Sequence, residues 1–120
     1  MKVLVADDDR AIRQSLTTAL ELNGYQVTAC KDGVEALAAF RSDRPDVLVL
    51  DVMMPGVDGF TLISALTADP TLNDMQIVVV TAKELTARER AWLKDQADLL
   101  LQKGGSIDED LVEMLVEKFE

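Results

Sequence analysis

Short apolar runs, four of them followed closely by polar residues, constrain the fold of this chain more than any other feature. Each run is too short for a typical helix. Runs that are apolar at every position are typical of strands in a parallel sheet buried on both faces. The runs and the polar residues after them are 3–6 with Asp7 and Asp8, 47–50 with Asp51, 77–80 with Thr81, and 99–101 with Gln102 and Lys103. Because parallel strands end at a common edge, we expect these polar side chains to converge.

Segments with helical periodicity separate the runs. The first ends at Asn23-Gly24, a helix stop signal, and a further strand is predicted at residues 25–30. Ser or Thr three residues before Glu is the spacing of a capping box, and it occurs at Thr86 with Glu89 and at Ser106 with Glu109. We expect the apolar side chains of the helices to face the sheet, namely Ile12, Leu16, Ala19 and Leu20 on the first, Val34, Leu37 and Phe40 on the second, Phe60, Ile63 and Leu66 on the third, and Leu111, Val112, Leu115, Val116 and Phe119 on the last.

Five strands that alternate with five helices predict an α/β fold. Connections between parallel strands are right-handed crossovers, and helices must cover both faces of a sheet whose strands are apolar throughout. We therefore expect one doubly wound, five-stranded parallel sheet with helices on both faces. In such sheets, ligands bind beyond the carboxyl ends of the strands, near the point where the strand order reverses. The polar residues at the strand ends are therefore the candidate functional site.

Composition and charge exclude several functional classes. Twenty-two acidic residues against twelve basic ones give a net charge of −10, which opposes direct binding of DNA or RNA. The apolar runs are far shorter than the roughly 20 residues that cross a bilayer, so no membrane span is expected. The single cysteine, Cys30, cannot form an internal disulfide, and no charged-then-apolar leader opens the chain. We therefore expect a reducing, cytoplasmic setting, with Cys30 as a small buried apolar residue.

In their order and spacing, the residues at the strand ends resemble the receiver domain of two-component response regulators. The resemblance covers essentially the whole chain. It implies one receiver domain over residues 1–120, either complete or the N-terminal part of a longer regulator, with the flavodoxin-like strand order 2-1-3-4-5. The matching motifs are Asp7-Asp8-Asp9 after the first predicted strand, Asp51-Val52-Met53-Met54-Pro55-Gly56-Val57-Asp58-Gly59 after the third, Thr81-Ala82 after the fourth, and Lys103 after the fifth.

The resemblance implies that Asp51 is the phosphoacceptor, which receives a phosphoryl group from a phosphohistidine on a sensor histidine kinase or a phosphotransfer protein. Carboxylates serve as covalent nucleophiles in this way. Attack on an anionic phosphoryl group requires charge neutralisation, and Mg²⁺ suits a set of oxygen ligands. By the same resemblance, Asp8 and Asp51 bind Mg²⁺ directly, Asp7 binds it through water, and the backbone carbonyl of Met53 is a further ligand.

The resemblance implies roles for three further residues. Lys103 places a positive charge near Asp51 and then near the phosphoryl oxygens. Thr81 donates its hydroxyl to a phosphoryl oxygen and couples modification to movement of the loop after the fourth strand. The small side chain of Ala82 leaves room for the phosphoryl group to enter. The face formed by the fourth helix, fifth strand and fifth helix is a candidate homodimer interface.

Ordinary structural explanations also exist for the acidic residues. An aspartate after a strand is often a helix cap, and we prefer this interpretation for Asp9. Capping explains one carboxylate of the pair Asp7 and Asp8 but not both, which favours metal binding by that pair. Asp51 precedes a loop, where a cap is less natural.

Three other side chains have two interpretations each. Thr81 could be an ordinary β-forming residue, and only its position favours a functional role. Lys103 could be a solvated lysine before a glycine turn, although its place after a predicted strand favours function. Trp92 could be a core residue or an interaction anchor, and both interpretations stay open.

The chain departs from the family pattern in the region through which many receivers signal. Gly104 follows Lys103 where the family usually has a proline. Leu100 occupies the position where the family commonly has a switching tyrosine or phenylalanine, and Gln96 the position where it often has a helix-ending glycine. An aromatic switch coupled to Thr81 is therefore absent in its usual form. We expect the phosphorylation chemistry to be intact and its readout to be altered.

Three functional hypotheses follow from these residues. The leading one is a Mg²⁺-dependent phosphoacceptor domain that switches protein–protein interactions; it is not an enzyme, although self-phosphorylation and slow autodephosphorylation are expected. The alternative is a receiver-like scaffold that binds its partner independently of phosphorylation. The third is a phosphohydrolase with an aspartyl nucleophile. Its commonest motif needs a second acid two residues after the nucleophile, and Met53 stands there instead.

Overall fold

The computed structural model describes residues 1–52, 59–70, 74–81, 84–103 and 107–119, excluding the side chains of Asp108 and Phe119. Strands and helices alternate along these residues, as predicted. They are β1 (Lys2–Ala6), α1 (Arg10–Leu22), β2 (Gln26–Cys30), α2 (Gly33–Ser42), β3 (Val47–Asp51), α3 (Gly59–Thr67), β4 (Gln76–Thr81), α4 (Ala87–Gln96), β5 (Leu99–Gln102) and α5 (Ile107–Phe119). Within the described ranges, no helix has the length and apolar character needed to span a membrane.

The strands form one parallel sheet in the order β2-β1-β3-β4-β5. This order confirms the flavodoxin-like topology implied by the sequence motifs. The strand order reverses at β1, which lies between β2 and β3, so the chain leaves β1 in one direction and β3 in the other. Asp7 and Asp8 follow β1 and Asp51 ends β3, so the acidic residues lie at this switch point.

Successive residues of each strand point to opposite faces of the sheet, and each face has its own apolar core. Val3 and Val5 of β1 lie on the face covered by α1 and α5, together with Leu16, Leu20, Leu111 and Leu115. Leu4 and Ala6 lie on the opposite face, covered by α2, α3 and α4 through Ala36, Phe40, Leu62, Ile63, Leu66 and Leu93. The two-sided burial explains why the central strands are apolar at every position.

The predicted inward face of α2 was wrong at one position. Val34 is 61% exposed, whereas Ala36 and Phe40 are buried. Residues 36 and 40 are separated by one helical turn, and the 3.6-residue period therefore places Val34 on the opposite side of the helix. On α5, Leu111 and Leu115 are buried as predicted, but Val116 is 40% exposed and lies at the margin of the apolar stripe.

Polar side chains cap the starts of α1 and α4. The Asp9 carboxylate accepts hydrogen bonds from the backbone N–H groups of Ala11 (2.9 Å) and Ile12 (3.2 Å), so its interpretation as the N-cap of α1 is confirmed. The capping box of Thr86 and Glu89 at the start of α4 is also confirmed. Its counterpart at Ser106 lies outside the described residues.

Two further side chains, those of Trp92 and Cys30, lie in apolar surroundings. Trp92 is partly buried against the core, with its ring centroid 5.6 Å from that of Phe60, which supports its interpretation as a core residue. Cys30 is 4% exposed, and burial raises the pKa of its thiol to about 11. The thiol is therefore neutral near pH 7 and is a small apolar residue, as predicted.

Gly59 begins α3 at a very close approach to the end of β3. A Cβ atom on Gly59 would overlap the Cα atom of Val52, a backbone atom that cannot move away as a flexible side chain could. Gly59→Ala should therefore lower the free energy of unfolding by about 1–3 kcal/mol, the usual cost of overpacking. Urea denaturation followed by circular dichroism measures the loss. Ser64→Ala, at an exposed position of the same helix, is the matched control, and an equal effect of both substitutions would contradict the packing explanation.

Candidate functional site

The carboxyl ends of four adjacent strands form one edge of the sheet. In the strand register, Ala6 pairs with Leu50, Asp51 with Val80, and Thr81 with Gln102. The polar residues that end or follow these strands are therefore near neighbours, although up to 96 positions separate them along the chain (from Asp7 to Lys103). The topology therefore brings these polar residues together at the edge of the sheet that the strand pattern predicts.

Three carboxylates converge at this edge. One oxygen of each of Asp7, Asp8 and Asp51 lies within 4.8 Å of the others. Asp7 and Asp51 are 2% and 3% exposed, whereas Asp8 is exposed. Buried carboxylates in such a group repel one another unless cations balance their charge. The arrangement therefore favours a cation among the three side chains, with access from the solvent on the side of Asp8.

The ammonium of Lys103 neutralises part of this negative charge. Its ammonium Nζ lies 2.8 Å from Oδ2 of Asp7 and 2.9 Å from Oδ2 of Asp51. The lysine side chain is 9% exposed, so both ion pairs are largely shielded from water. The backbone N–H of Lys103 donates a 2.9 Å hydrogen bond to the carbonyl of Thr81, which anchors the end of β5 to that of β4. Three carboxylates against one ammonium leave two negative charges, the charge that one divalent cation neutralises.

Burial and charge act in opposite directions on the ionisable groups of the site. Burial raises the pKa of the Asp7 carboxyl, and the nearby Asp51 carboxylate adds to this, while hydrogen bonds from Lys103 and from the backbone of Asp9 oppose it. Burial lowers the pKa of Lys103, but its bonds to Asp7 and Asp51 raise it by more, so its net pKa lies above the ordinary value. Lys103 is therefore a cation at neutral pH.

Thr81 and Leu100 lie beside a cavity between α4 and β5. Thr81 is 2% exposed at the end of β4, and the cavity of about 360 Å³ is lined also by Leu85, Arg90 and Lys94. Leu100 packs partly against the core. A leucine is smaller than the aromatic residue that the resemblance implies at this position, and the cavity lies next to it. The two other predicted site residues, Met53 and Ala82, are outside the described ranges.

Two contacts of the site were not expected from the sequence. Lys103 bonds Asp7 as well as Asp51, and the guanidinium Nη1 of Arg13 donates a 2.8 Å hydrogen bond to the backbone carbonyl of Asp7. The position of Arg13 gives a weak signal for the second contact. It lies one turn after the cap Asp9, and helical side chains lean toward the N-terminus of the helix, which points the arginine back to the loop.

Comparison with known proteins identifies the family. The family model described as response regulator receiver domain matches residues 3–116. The chain is 46% identical over 114 residues to response regulator MprA of Mycobacterium avium, covering 95% of this chain and 49% of that protein. The protein of the same name from Mycobacterium tuberculosis gives the same identity and coverage. The chain thus spans about half the length of these curated relatives.

Solved structures show the same fold. The receiver domain of the Francisella response regulator 1452 is 37% identical with a TM-score of 0.81, covering 96% of this chain and 93% of that one. The chemotaxis protein CheY4 of Vibrio cholerae is 32% identical with a TM-score of 0.85, covering 97% of this chain and 96% of that one. The fold and the family match agree over nearly the entire chain, which therefore belongs to the receiver domain family of two-component response regulators.

Proposed function

We propose that this receiver domain accepts a phosphoryl group on Asp51 from a sensor histidine kinase or a phosphotransfer protein. The observation that carries the proposal is the constellation around Asp51. Its carboxylate is buried at the switch point of the sheet, lies within 4.8 Å of two other carboxylates and is bonded to the Lys103 ammonium at 2.9 Å. Family membership supports the same reaction, because phosphorylation by a kinase is typical of receiver domains.

The donor set at the site fits Mg²⁺. All three side chains offer hard carboxylate oxygens, and their excess of two negative charges matches a divalent cation. Asp7, Asp8 and Asp51 would hold the ion, and the backbone carbonyl of Met53 is proposed as a further ligand from the family pattern. When bound, Mg²⁺ would supply charge neutralisation between the Asp51 carboxylate and the incoming phosphoryl group.

The residues of the chain have distinct parts in the proposed reaction. An Oδ atom of Asp51 attacks the phosphorus of the donor phosphohistidine, a P–O bond forms, the P–N bond breaks, and the electron pair leaves with the imidazole. Lys103 holds a positive charge beside the attacking oxygen and then beside the phosphoryl oxygens. Thr81 is proposed to donate its hydroxyl to a phosphoryl oxygen, and Ala82 to leave room for the group.

Leu100 motivates a second candidate function, a scaffold that binds its partner whether or not Asp51 is phosphorylated. The residue carries no aromatic ring that could move into the cavity beside Thr81. Partner affinity that does not change when a beryllofluoride phosphoryl mimic is added would favour the scaffold over the switch. A decrease or increase in affinity would favour the switch.

The same proposal covers the domain organisation of the protein, its class of function, its homodimer interface and its location in the cell. We propose residues 1–120 as one receiver domain, which can be the N-terminal part of a longer regulator because its curated relatives are about twice as long. Its role is that of a signalling domain and not of an enzyme with an external substrate. The face formed by α4, β5 and α5 is proposed as a homodimer interface, and the cytoplasm as the location, both from the pattern of the family.

Labelling with a small phosphodonor tests phosphoacceptance directly. Incubation with acetyl phosphate and Mg²⁺ should add one phosphoryl group per chain, since the carboxylate needs only alignment and charge neutralisation to react. Mass spectrometry of the intact protein detects the group, and peptide mapping should locate it at Asp51. Removal of Mg²⁺ with EDTA is the control and should abolish labelling. A label on another residue, or equal labelling with EDTA, would contradict the proposal.

A further inference from the structure

Arg13 lies beside the acidic cluster and contacts it through the backbone. It is the fourth residue of α1, is partly buried, and donates a 2.8 Å hydrogen bond from Nη1 to the carbonyl oxygen of Asp7. We propose that Arg13 is a positioning residue for the cation site, where it holds the peptide unit between Asp7 and Asp8 and thereby orients the Asp8 carboxylate. This inference rests on the proposed Mg²⁺ function and deepens it.

The planarity of the peptide bond explains how one hydrogen bond can act on the next residue. The carbonyl oxygen of Asp7 and the N–H of Asp8 belong to the same rigid plane, so a bond to that oxygen restrains the plane from which Asp8 continues. Asp8 is exposed, and the direction of its side chain therefore depends strongly on the backbone that carries it.

Asp7 is restrained independently of Arg13. Its N–H donates to the carbonyl of Cys30 at 3.0 Å, and its Oδ1 accepts from the N–H of Asp9 at 2.9 Å. Its Oδ2 bonds the Lys103 ammonium. The contact from Arg13 therefore acts mainly on the peptide unit that leads to Asp8, the carboxylate of the cluster that is open to solvent.

The charge of Arg13 makes a positioning role distinguishable from an electrostatic one. A guanidinium beside a cation site repels Mg²⁺, so removal of its charge alone should strengthen Mg²⁺ binding. Loss of the hydrogen bond should instead loosen the Asp7–Asp8 loop and weaken binding. Removal of a group that orients metal ligands commonly weakens metal affinity by about 10–100-fold.

Mg²⁺ affinity of the folded protein is therefore the decisive measurement. Arg13→Met keeps an unbranched side chain and removes both charge and donor, and isothermal titration calorimetry should show Mg²⁺ affinity weakened roughly tenfold. Arg13→Lys keeps the positive charge and a donor group, the ammonium, and should recover part of the affinity. In acetyl phosphate labelling, the Arg13→Met defect should be largest at low Mg²⁺ and shrink at saturating Mg²⁺. If Arg13→Met does not fold, Arg13→Gln, which is neutral and too short to reach the carbonyl, has the same expected result.

Arg10→Met is the matched control, because it removes the same charge from an exposed position on the first turn of the same helix. Its Mg²⁺ affinity should equal or slightly exceed that of the wild type. Arg13→Met with affinity equal to or tighter than Arg10→Met would overturn the positioning role, while wild-type labelling at Asp51 would leave the proposed function standing. A wild-type protein that binds no Mg²⁺ would overturn both.

Discussion

Asp51→Asn should accept no phosphoryl group from acetyl phosphate in the presence of Mg²⁺. The amide has nearly the same shape as the carboxylate, so the fold is expected to persist, but the amide oxygen lacks the negative charge that the proposed nucleophile needs. Intact-protein mass spectrometry of wild type and variant under identical labelling conditions measures the difference.

Asp9→Asn provides the matched control for this prediction. It removes one carboxylate from the same region of the molecule, and asparagine caps a helix about as well as aspartate. The Asp9 side chain bonds the N–H groups at the start of α1, so labelling should stay at the wild-type level. Labelling of Asp51→Asn at the wild-type rate would contradict the assignment of the phosphoacceptor, particularly if Lys103→Ala lost labelling.

Lys103→Met should lower the free energy of unfolding by about 3–5 kcal/mol in the absence of Mg²⁺. Removal of one partner of a buried ion pair leaves uncompensated charge in a poorly solvated place. Here Lys103 faces two carboxylates, on Asp7 and Asp51, at 2.8 and 2.9 Å. Urea denaturation at constant ionic strength measures the loss. Added Mg²⁺ should reduce it, because the site without the lysine charge attracts Mg²⁺ more strongly and the variant therefore gains more stability from binding than the wild type does.

The loss of stability in Lys103→Met should also depend on pH. Burial raises the pKa of Asp7 above its value in the unfolded chain, and loss of the lysine removes an interaction that lowers it. A carboxyl with a raised folded pKa destabilises the fold when ionised, and this penalty disappears as the pH falls below that pKa. The difference from wild type should therefore be smaller near pH 5 than near pH 8.

An exposed lysine gives the comparison for this variant. Lys31 has its ammonium 3.9 Å from the Glu35 carboxylate, and both side chains are largely exposed. Exposed ion pairs contribute little, so Lys31→Met should change the free energy of unfolding by less than about 1 kcal/mol at either pH. If Lys103→Met and Lys31→Met lost equal stability, the shielded ion pairs at the sheet edge would not have the proposed importance.

Much of the fold could be predicted because its signals are local. A strand that is buried on both faces is apolar at each position, and a capping aspartate stands directly before its helix. Asp9 and the capping box at Thr86 were therefore found from the sequence. Val34 was misplaced because α2 is short and mostly apolar, so several faces of the helix satisfied the same pattern, and contact with the sheet decided which one is buried.

The sequence also predicted which residues lie near one another in the candidate site, because this depends on the pattern of the strands. Polar residues at the ends of parallel strands must share an edge, so the neighbourhood of Asp7, Asp8, Asp51 and Lys103 followed from the strand pattern. The strand pattern does not predict which atoms of these residues contact one another. The contact of Lys103 with Asp7 depends on the positions of β1, β3 and β5 in one sheet.

The sequence by itself determined the alternation of strands and helices, the parallel sheet and the edge at which the polar residues lie, because each depends on periodicity or on neighbours along the chain. Only the tertiary structure decided that Lys103 bridges two buried carboxylates, that Arg13 holds the carbonyl of Asp7, and that Gly59 packs on Val52. These contacts depend on distances of a few ångströms between separate elements. Strand register and helix packing set those distances, and neither can be read from local sequence.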